Sequence, residues 1–186
     1  MAFITHQIKC IVAALTASVW FSIPAAADQA RVDDLLAQLS QAEGIQAERL
    51  VAELQNEWSK SGSAAMDLLL RRGQDALEAG EPVTAAEHFT AAIDHAPDFA
   101  EAYSRRAAAY YQSGLIGPAL EDLRQALTLN PDNFVALRGF GVLLEELDRK
   151  EDALEVFLAV QEVYPADEDT AAAIARLEMM LQGQAL

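Results

Sequence analysis

One repeat period runs through more than half of the chain and constrains its fold more than any other feature. Three equally spaced prolines mark the period, Pro97, Pro131 and Pro165, and four further columns of similar residues keep the same spacing. The columns are Gly73, Ala107 and Gly141; Ala85, Ala119 and Ala153; Phe89, Leu123 and Phe157; and Ala92, Ala126 and Val160. The period is 34 residues, the spacing of the three prolines. A fixed period of this length predicts a repeat architecture, in which neighbouring units stack and bury a continuous core.

The residue types in these columns predict one helical hairpin in each unit. A small residue such as Gly73 on the first helix faces another, Ala85, on the second, so the two helices can approach closely. Each proline separates one hairpin from the next, because proline cannot continue a helix and disfavours helical geometry in the residue before it. Gly80 and Gly114 occupy the same position in successive units and predict the turn inside each hairpin.

These columns resemble the pattern of small, aromatic and proline positions of the tetratricopeptide repeat. The resemblance covers three units, residues 66–99, 100–133 and 134–167. It implies an all-α fold, a right-handed superhelix of helical hairpins.

The segments that flank the three units are also predicted to be helical. Residues 28–63 carry two apolar stripes separated near Gly44, and we interpret them as a degenerate repeat or an N-terminal cap. We expect Trp58 to dock against the first unit, and we favour a plain loop over a flexible hinge for residues 59–63. Residues 168–182 predict a capping helix, and its polar outer face is assigned to Glu168, Asp169, Arg176 and Glu178.

The composition of residues 1–27 predicts a cleavable signal peptide. A short basic region precedes an apolar run from Cys10 to Ile23, which is too short to span a bilayer as a helix. Small residues at the end of this segment place the cut between Ala27 and Asp28, and an uncleaved anchor is the alternative. The mature protein would then be periplasmic, with secretion as the alternative. Cys10 is the sole cysteine, so the sequence predicts no disulfides.

The charge of the chain indicates which partners it disfavours. With 29 acidic and 13 basic residues the formal net charge is −16. This acidic field repels nucleic acid phosphates and anionic lipid, so we expect binding to neither nucleic acid nor, in the mature form, a membrane. A cationic or neutral partner suits it better.

The sequence predicts neither a catalytic site nor a cofactor. It has no zinc-protease histidine pair, phosphate loop, dinucleotide fingerprint or serine elbow. His88 and His95 are two turns apart on a predicted helix, about 10 Å along its axis, too far to share a metal. We therefore predict no metal site and no enzyme, with an enzyme of unrecognised type as the least favoured alternative.

The family resemblance implies that the first helices of the hairpins line a concave groove that binds a protein or peptide segment. We transfer the groove-lining positions of the family column by column onto this sequence and add the arginines nearby. The candidate groove residues are then Leu70, Gln74, Leu77, Ser104, Arg105, Tyr111, Arg138 and Val142. The apolar and acidic character of the transferred positions suggests a basic amphipathic ligand. Some family members clamp the terminal carboxylate of a ligand with lysine, asparagine and arginine at set groove columns. In this sequence only Arg105 matches that set.

Two alternatives to ligand binding in the groove stay open. The arginines of the first helices either anchor a carboxylate of the ligand or pair with neighbouring acids, and we favour internal pairing. The whole protein could also be a self-assembling envelope scaffold that docks through an end helix, and the sequence does not decide its oligomeric state.

Overall fold

The computed structural model describes residues 23–184, and in this range the chain is entirely helical. The nine helices of this range are α1 Ile23–Leu39, α2 Gly44–Trp58, α3 Ala64–Glu78, α4 Pro82–His95, α5 Ala100–Gln112, α6 Ile116–Leu129, α7 Phe134–Glu146, α8 Lys150–Val163 and α9 Glu168–Gln184. The predicted all-α superhelix of hairpins is confirmed: α3 pairs with α4, α5 with α6 and α7 with α8.

The predicted signal peptide lies outside the described residues as far as residue 22. Helix α1 begins at Ile23 and runs through the predicted cleavage site between Ala27 and Asp28. Export therefore stays a prediction. Across residues 23–184, the structure offers no helix with both the length and the apolar character needed to cross a bilayer.

The turn inside each hairpin uses a left-handed residue. Gly80 and Gly114 have φ of 75° and 73°. In the first unit the N–H of Glu81, next to this glycine, donates to the carbonyl of Ala76 at 2.8 Å. The third unit places Asp148 at this position with φ of 58°, so a residue with a side chain adopts the strained geometry there.

The close approach inside each hairpin explains the glycine and alanine columns. A Cβ on Gly73 would lie 2.4 Å from the ring of Phe89, and a Cβ on Gly141 would lie 3.0 Å from the ring of Phe157. The second unit carries Ala107 instead, and there the partner column holds a leucine. Glycine thus occurs in the two units where phenylalanine must fit.

The C-terminal helix α9 closes the stack at the position where a fourth unit would begin. Its buried Ile174 and Leu177 pack in one cluster with Leu144 and Phe157 of the third unit. The small or charged residues Glu168, Ala175 and Glu178 remain exposed on α9, but so do Met179 and Met180, so its outer face is polar only in part.

The predicted N-terminal hairpin is present, but it does not stack on the first unit. We call the three connections between units, residues 96–100, 130–134 and 164–168, the loop edge. Leu39, Leu50 and Leu54 of the N-terminal hairpin belong to one buried cluster with Phe134 and Val160 of the third unit. The hairpin therefore lies across the loop edge and folds back along the superhelix.

The expected docking of Trp58 on the first unit is wrong. Its ring centroid lies 5.3 Å from that of Phe134, which in turn lies 5.6 Å from that of Tyr164. Both partners belong to the loop edge, Phe134 to its second connection and Tyr164 to its third. A period read along the chain cannot show this contact, because it joins segments that are more than two units apart.

Candidate functional site

A cavity of about 660 Å³ lies on the first-helix side of the superhelix, between α5, α7 and α9. Its lining residues are Ser104, Arg105, Ala107, Ala108, Tyr111, Leu123, Val135, Arg138, Gly139, Val142, Leu143, Phe157, Asp169, Ala172, Ala173 and Arg176. Most of the lining is apolar, and the charged groups are three arginines and one aspartate. Such a mixture of apolar surface with a few convergent polar groups is typical of ligand sites.

The repeat period positions the lining side chains. Arg138 and Ala172 follow Ser104 at one and two periods, and Val142 and Arg176 follow Ala108 in the same way. Successive first helices therefore present equivalent positions to one surface. Small residues in these columns open the space, while the arginines project from different helices.

Five of the eight predicted groove residues line this cavity. They are Ser104, Arg105, Tyr111, Arg138 and Val142.

The other three predicted groove residues lie on α3, outside the cavity lining. Leu70 is only 2 % exposed and packs with Phe89 and Phe99 in the core of the first unit, so it has no surface to offer a ligand. Gln74 and Leu77 are half-buried. The concave surface is therefore shifted toward the C-terminal half of the chain.

The contribution of α9 to the cavity was not predicted from the sequence. Asp169, Ala172 and Arg176 lie where the groove columns fall when the period is carried one unit past residue 167. The signal was thus present in the sequence, but the interpretation of this helix as a polar cap concealed it. Arg176, assigned there to the outer face, instead lines the cavity.

Each arginine of the cavity is paired with a carboxylate of the chain. Arg105 Nε donates to Glu101 at 2.7 Å, and Arg138 Nη1 donates to both oxygens of Asp167 at 3.3 Å. Internal pairing, the interpretation we favoured, describes this geometry.

The pair at Arg176 differs from the other two. Its Nε and Nη2 donate to the two oxygens of Glu145 at 3.0 and 2.7 Å, so this guanidinium is engaged on two sides. Within residues 23–184, Arg105 and Arg138 each use one nitrogen for their side-chain partners. The remaining N–H groups of these two arginines can donate to a ligand.

Tyr111 forms the rim of the cavity and ties α5 to α7. Its side chain is 41 % exposed, and its hydroxyl donates to Glu146. This hydrogen bond, and then the charge of the carboxylate, raises the pKa of Tyr111 above its ordinary value. Val142, which is 38 % exposed, adds an apolar contact beside it.

The lining does not favour the basic ligand suggested by the sequence. Three arginines and a single carboxylate, Asp169, belong to the wall, whereas Glu101, Asp167 and Glu145, which pair with these arginines, do not line the cavity. Glu145, one of the acids in the groove columns transferred from the family, accepts two hydrogen bonds from Arg176. Among the described residues, no group of three or more His, Cys, Asp or Glu is arranged to hold a metal ion.

Comparison with known proteins identifies the repeats. Two models of the tetratricopeptide repeat match the chain, one at residues 100–133 and one at residues 117–168. A TPR repeat-containing protein of Rhizobium etli is 30% identical over 138 residues, which span 74% of this chain and 68% of that protein. A protein SGT1 homolog of Bos taurus is 33% identical over 120 residues, which span 64% of this chain but only 36% of that protein.

Solved structures agree with the fold. The first TPR of Spaghetti (RPAP3) bound to HSP90 peptide SRMEEVD superposes with a TM-score of 0.62 at 22% identity, over 64% of this chain and 98% of that one. At this identity the likeness shows the fold alone.

Proposed function

Because the chain belongs to the tetratricopeptide repeat family, we propose that it is a non-catalytic protein that binds a segment of another protein in the cavity between α5, α7 and α9. The observation that carries the proposal is the lining of this cavity, which combines an apolar wall with Arg105 and Arg138, whose side chains each use one nitrogen for partners within residues 23–184. The structurally similar domain of RPAP3, which is bound to an HSP90 peptide, supports a peptide as the occupant.

The apolar part of the wall sets the first requirement for the ligand. Val142 and Tyr111 are partly exposed at the surface of the cavity, and Leu143 and Phe157 close its floor. Covering apolar surface contributes roughly 25 cal/mol per Å² before the costs of association are subtracted. A ligand therefore needs at least one apolar side chain that enters between α5 and α7.

The arginines set the second requirement. Arg105 and Arg138 line the cavity and are partly exposed, with 25% and 39% of their side chains accessible. A guanidinium binds a carboxylate through paired hydrogen bonds, so we propose an apolar segment that carries an acidic group.

The net charge of −16 repels an acidic ligand, but this repulsion acts at long range. Surface charges are screened over about 8 Å at physiological ionic strength, so the contacts inside the cavity decide affinity, while the overall field mainly slows association. We accordingly expect the affinity to depend less on salt than the formal charge suggests.

A peptide-display selection on the full chain tests this proposal. Peptides that bind are synthesised and titrated by calorimetry against the native protein, Arg138→Gln and Arg124→Gln. Arg124 is the matched control, because it is an exposed arginine paired with Glu121 and does not line the cavity. We expect selected peptides to combine apolar and acidic residues, and Arg138→Gln to weaken binding roughly tenfold or more through loss of a charged hydrogen bond.

Two results would contradict the proposal. One is a selection that yields no binding peptide, and the other is equal affinity for the two variants. If no peptide is selected, the alternative, self-assembly through an end helix, becomes the leading hypothesis, and sedimentation at increasing protein concentration tests it.

We also propose that the protein acts outside the cytoplasm, on the composition of residues 1–27 alone. Export to the periplasm, or secretion, requires that cleavage between Ala27 and Asp28 precede folding, since α1 runs through this bond. N-terminal sequencing of the protein isolated from its own cells tests the proposal: a chain that begins at Asp28 supports it, and an intact N-terminus contradicts it.

A further inference from the structure

Arg138, on the wall of the cavity, has two carboxylates close to it. Its Nη1 lies 3.3 Å from both oxygens of Asp167 and 4.0 Å from Oδ2 of Asp169. The two acids differ in burial, because the side chain of Asp167 is 9% exposed and that of Asp169 is 91% exposed. Arg138 therefore has one buried partner within hydrogen-bond distance and a second, exposed acid just beyond that distance.

Only the exposed acid lines the cavity. Asp167 lies outside the lining, and its carboxylate also accepts a hydrogen bond from the hydroxyl of Thr170 at 2.6 Å, where α9 begins. Asp169 belongs to the lining, and within residues 23–184 the long ion pair with Arg138 is the one polar contact of its carboxylate. This carboxylate is therefore free to act on whatever enters the cavity.

Neither the repeat nor the start of α9 requires an acid at this point of the wall. Asp169 follows Val135 by one period, and Val135 lines the same cavity with an apolar side chain. An acid in the first turn of a helix stabilises the helix through its dipole, but Glu168 lies in the same turn and outside the cavity lining. The charge of Asp169 can thus be changed without removing the only acid from this turn.

The charges around the two paired arginines of the cavity wall are unequal. Arg105 pairs with Glu101, whose second oxygen accepts a hydrogen bond from Asn133 at 3.2 Å, so one positive charge meets one negative charge. At Arg138 one positive charge meets two negative charges. A ligand carboxylate that approaches Arg138 therefore meets an excess of negative charge.

We propose that Asp169 is a specificity-determining residue of the cavity, because its carboxylate competes with the acidic group of the ligand for Arg138. This inference rests on the proposed binding function. A bound ligand carboxylate takes over the attraction of Arg138 and repels Asp169, whose exposed side chain turns into solvent. Asp169 thus lowers the affinity for an acidic segment below the value that the arginines alone would give, and it leaves the affinity for a neutral segment unchanged.

A cycle of two proteins and two ligands tests this competition. The proteins are the full native chain and Asp169→Asn, which keeps the shape of the side chain and removes its charge. The ligands are one acidic peptide selected on the native protein and its analogue with the acid replaced by the matching amide. Glu168→Gln is the matched control, because it removes an exposed acid from the same helix turn without touching the cavity lining.

The four affinities are measured by calorimetry at low and at physiological ionic strength. We expect Asp169→Asn to bind the acidic peptide roughly twofold to fivefold more tightly than the native chain, the factor that corresponds to one exposed ion pair. The amide analogue should bind both proteins equally, and Glu168→Gln should bind the acidic peptide as the native chain does. The gain should shrink as salt is added, because exposed charges are screened.

Arg138→Gln separates competition from simple repulsion. Without the guanidinium there is nothing to compete for, so adding Asp169→Asn to Arg138→Gln should give a smaller gain than adding it to the native chain. An equal gain in both backgrounds would overturn the proposal. Unchanged or weaker binding of the acidic peptide by Asp169→Asn, the same gain for the amide analogue, or the same gain in Glu168→Gln would overturn it too.

The failure of this inference is distinct from the failure of the proposed function. If Arg138→Gln weakens binding and Arg124→Gln does not, the cavity is the binding site whatever Asp169→Asn does. If no peptide is selected, or if those two arginine variants bind equally well, the proposed function fails, and the competition at Arg138 fails with it.

Discussion

Substitution of the glycines in the first helices tests how the hairpins are packed. An alanine Cβ at position 73 would lie 2.4 to 2.7 Å from three ring atoms of Phe89, which is fully buried and has no room to move. At position 141 the same Cβ would lie 3.0 to 3.1 Å from Phe157. At position 139 it would meet only methyl groups of Leu123 at 3.6 and 3.7 Å, an ordinary contact.

The expected changes in stability combine two opposing effects. Replacing glycine by alanine inside a helix contributes about 0.8–1.0 kcal/mol of stability, and overpacking a core costs about 1–3 kcal/mol. Gly139→Ala should therefore raise the free energy of unfolding by about 1 kcal/mol. Gly141→Ala, at the lower end of the overpacking range, should change it little. Gly73→Ala, at the upper end of that range, should lower the free energy of unfolding by about 2 kcal/mol.

The second unit supplies a compensating pair. It has Ala107 where the first unit has Gly73, and Leu123 where the first unit has Phe89. Gly73→Ala combined with Phe89→Leu should therefore be less destabilised than the sum of the two single variants, by about 1–2 kcal/mol, a typical coupling for residues in contact.

Urea unfolding followed by far-UV circular dichroism measures each of these free energies. The order Gly139→Ala, Gly141→Ala, Gly73→Ala from most to least stable supports this packing. Equal stability of Gly73→Ala and Gly139→Ala, or a lack of compensation by Phe89→Leu, would refute it.

Two further predictions concern ion pairs and titration. Arg106→Ala should destabilise the protein by about 3–5 kcal/mol in urea unfolding, because it leaves Asp122, 6% exposed, as an unpaired buried charge. Adding Asp122→Asn to Arg106→Ala removes that charge and should recover part of the lost stability. Tyr111 should ionise above its ordinary pKa of 10.0 in an ultraviolet titration, and Glu146→Gln should return it toward that value. Since its folded pKa is raised, the stability that this contact contributes is complete below the ordinary pKa and is lost as pH rises through the folded pKa. An unchanged pKa of Tyr111 in Glu146→Gln would contradict the hydrogen bond.

The repeats could be predicted from the sequence because their cause is local and periodic. The columns of Gly73, Ala85 and Phe89 reflect contacts inside one hairpin, and each hairpin repeats the same contacts at the same spacing. The fold class followed from this period. For the same reason Ser104 and Val142 could be assigned to the groove.

The features that sequence reasoning missed depend on contacts between distant segments. Nothing in the spacing of Trp58 shows that it meets Phe134, because their contact depends on how the whole stack turns past the N-terminal hairpin. The burial of Leu70 likewise depends on packing against the second unit. The sequence indicated that the arginines pair with acidic residues of the chain. It did not show which acid pairs with which arginine, since many acids lie within reach along the chain.

The most direct test of the central claim, that the cavity between α5, α7 and α9 is the binding site, compares two matched apolar residues. Val142 lines the cavity at 38% exposure, whereas Leu158 on α8 is 42% exposed and lies outside its lining. Each is changed to aspartate, and both variants are titrated by calorimetry with a peptide selected on the native protein. We predict that Val142→Asp weakens binding by roughly tenfold or more, because it places a carboxylate against the apolar and acidic ligand, while Leu158→Asp binds as the native protein does. Equal affinities for the two variants would contradict the claim.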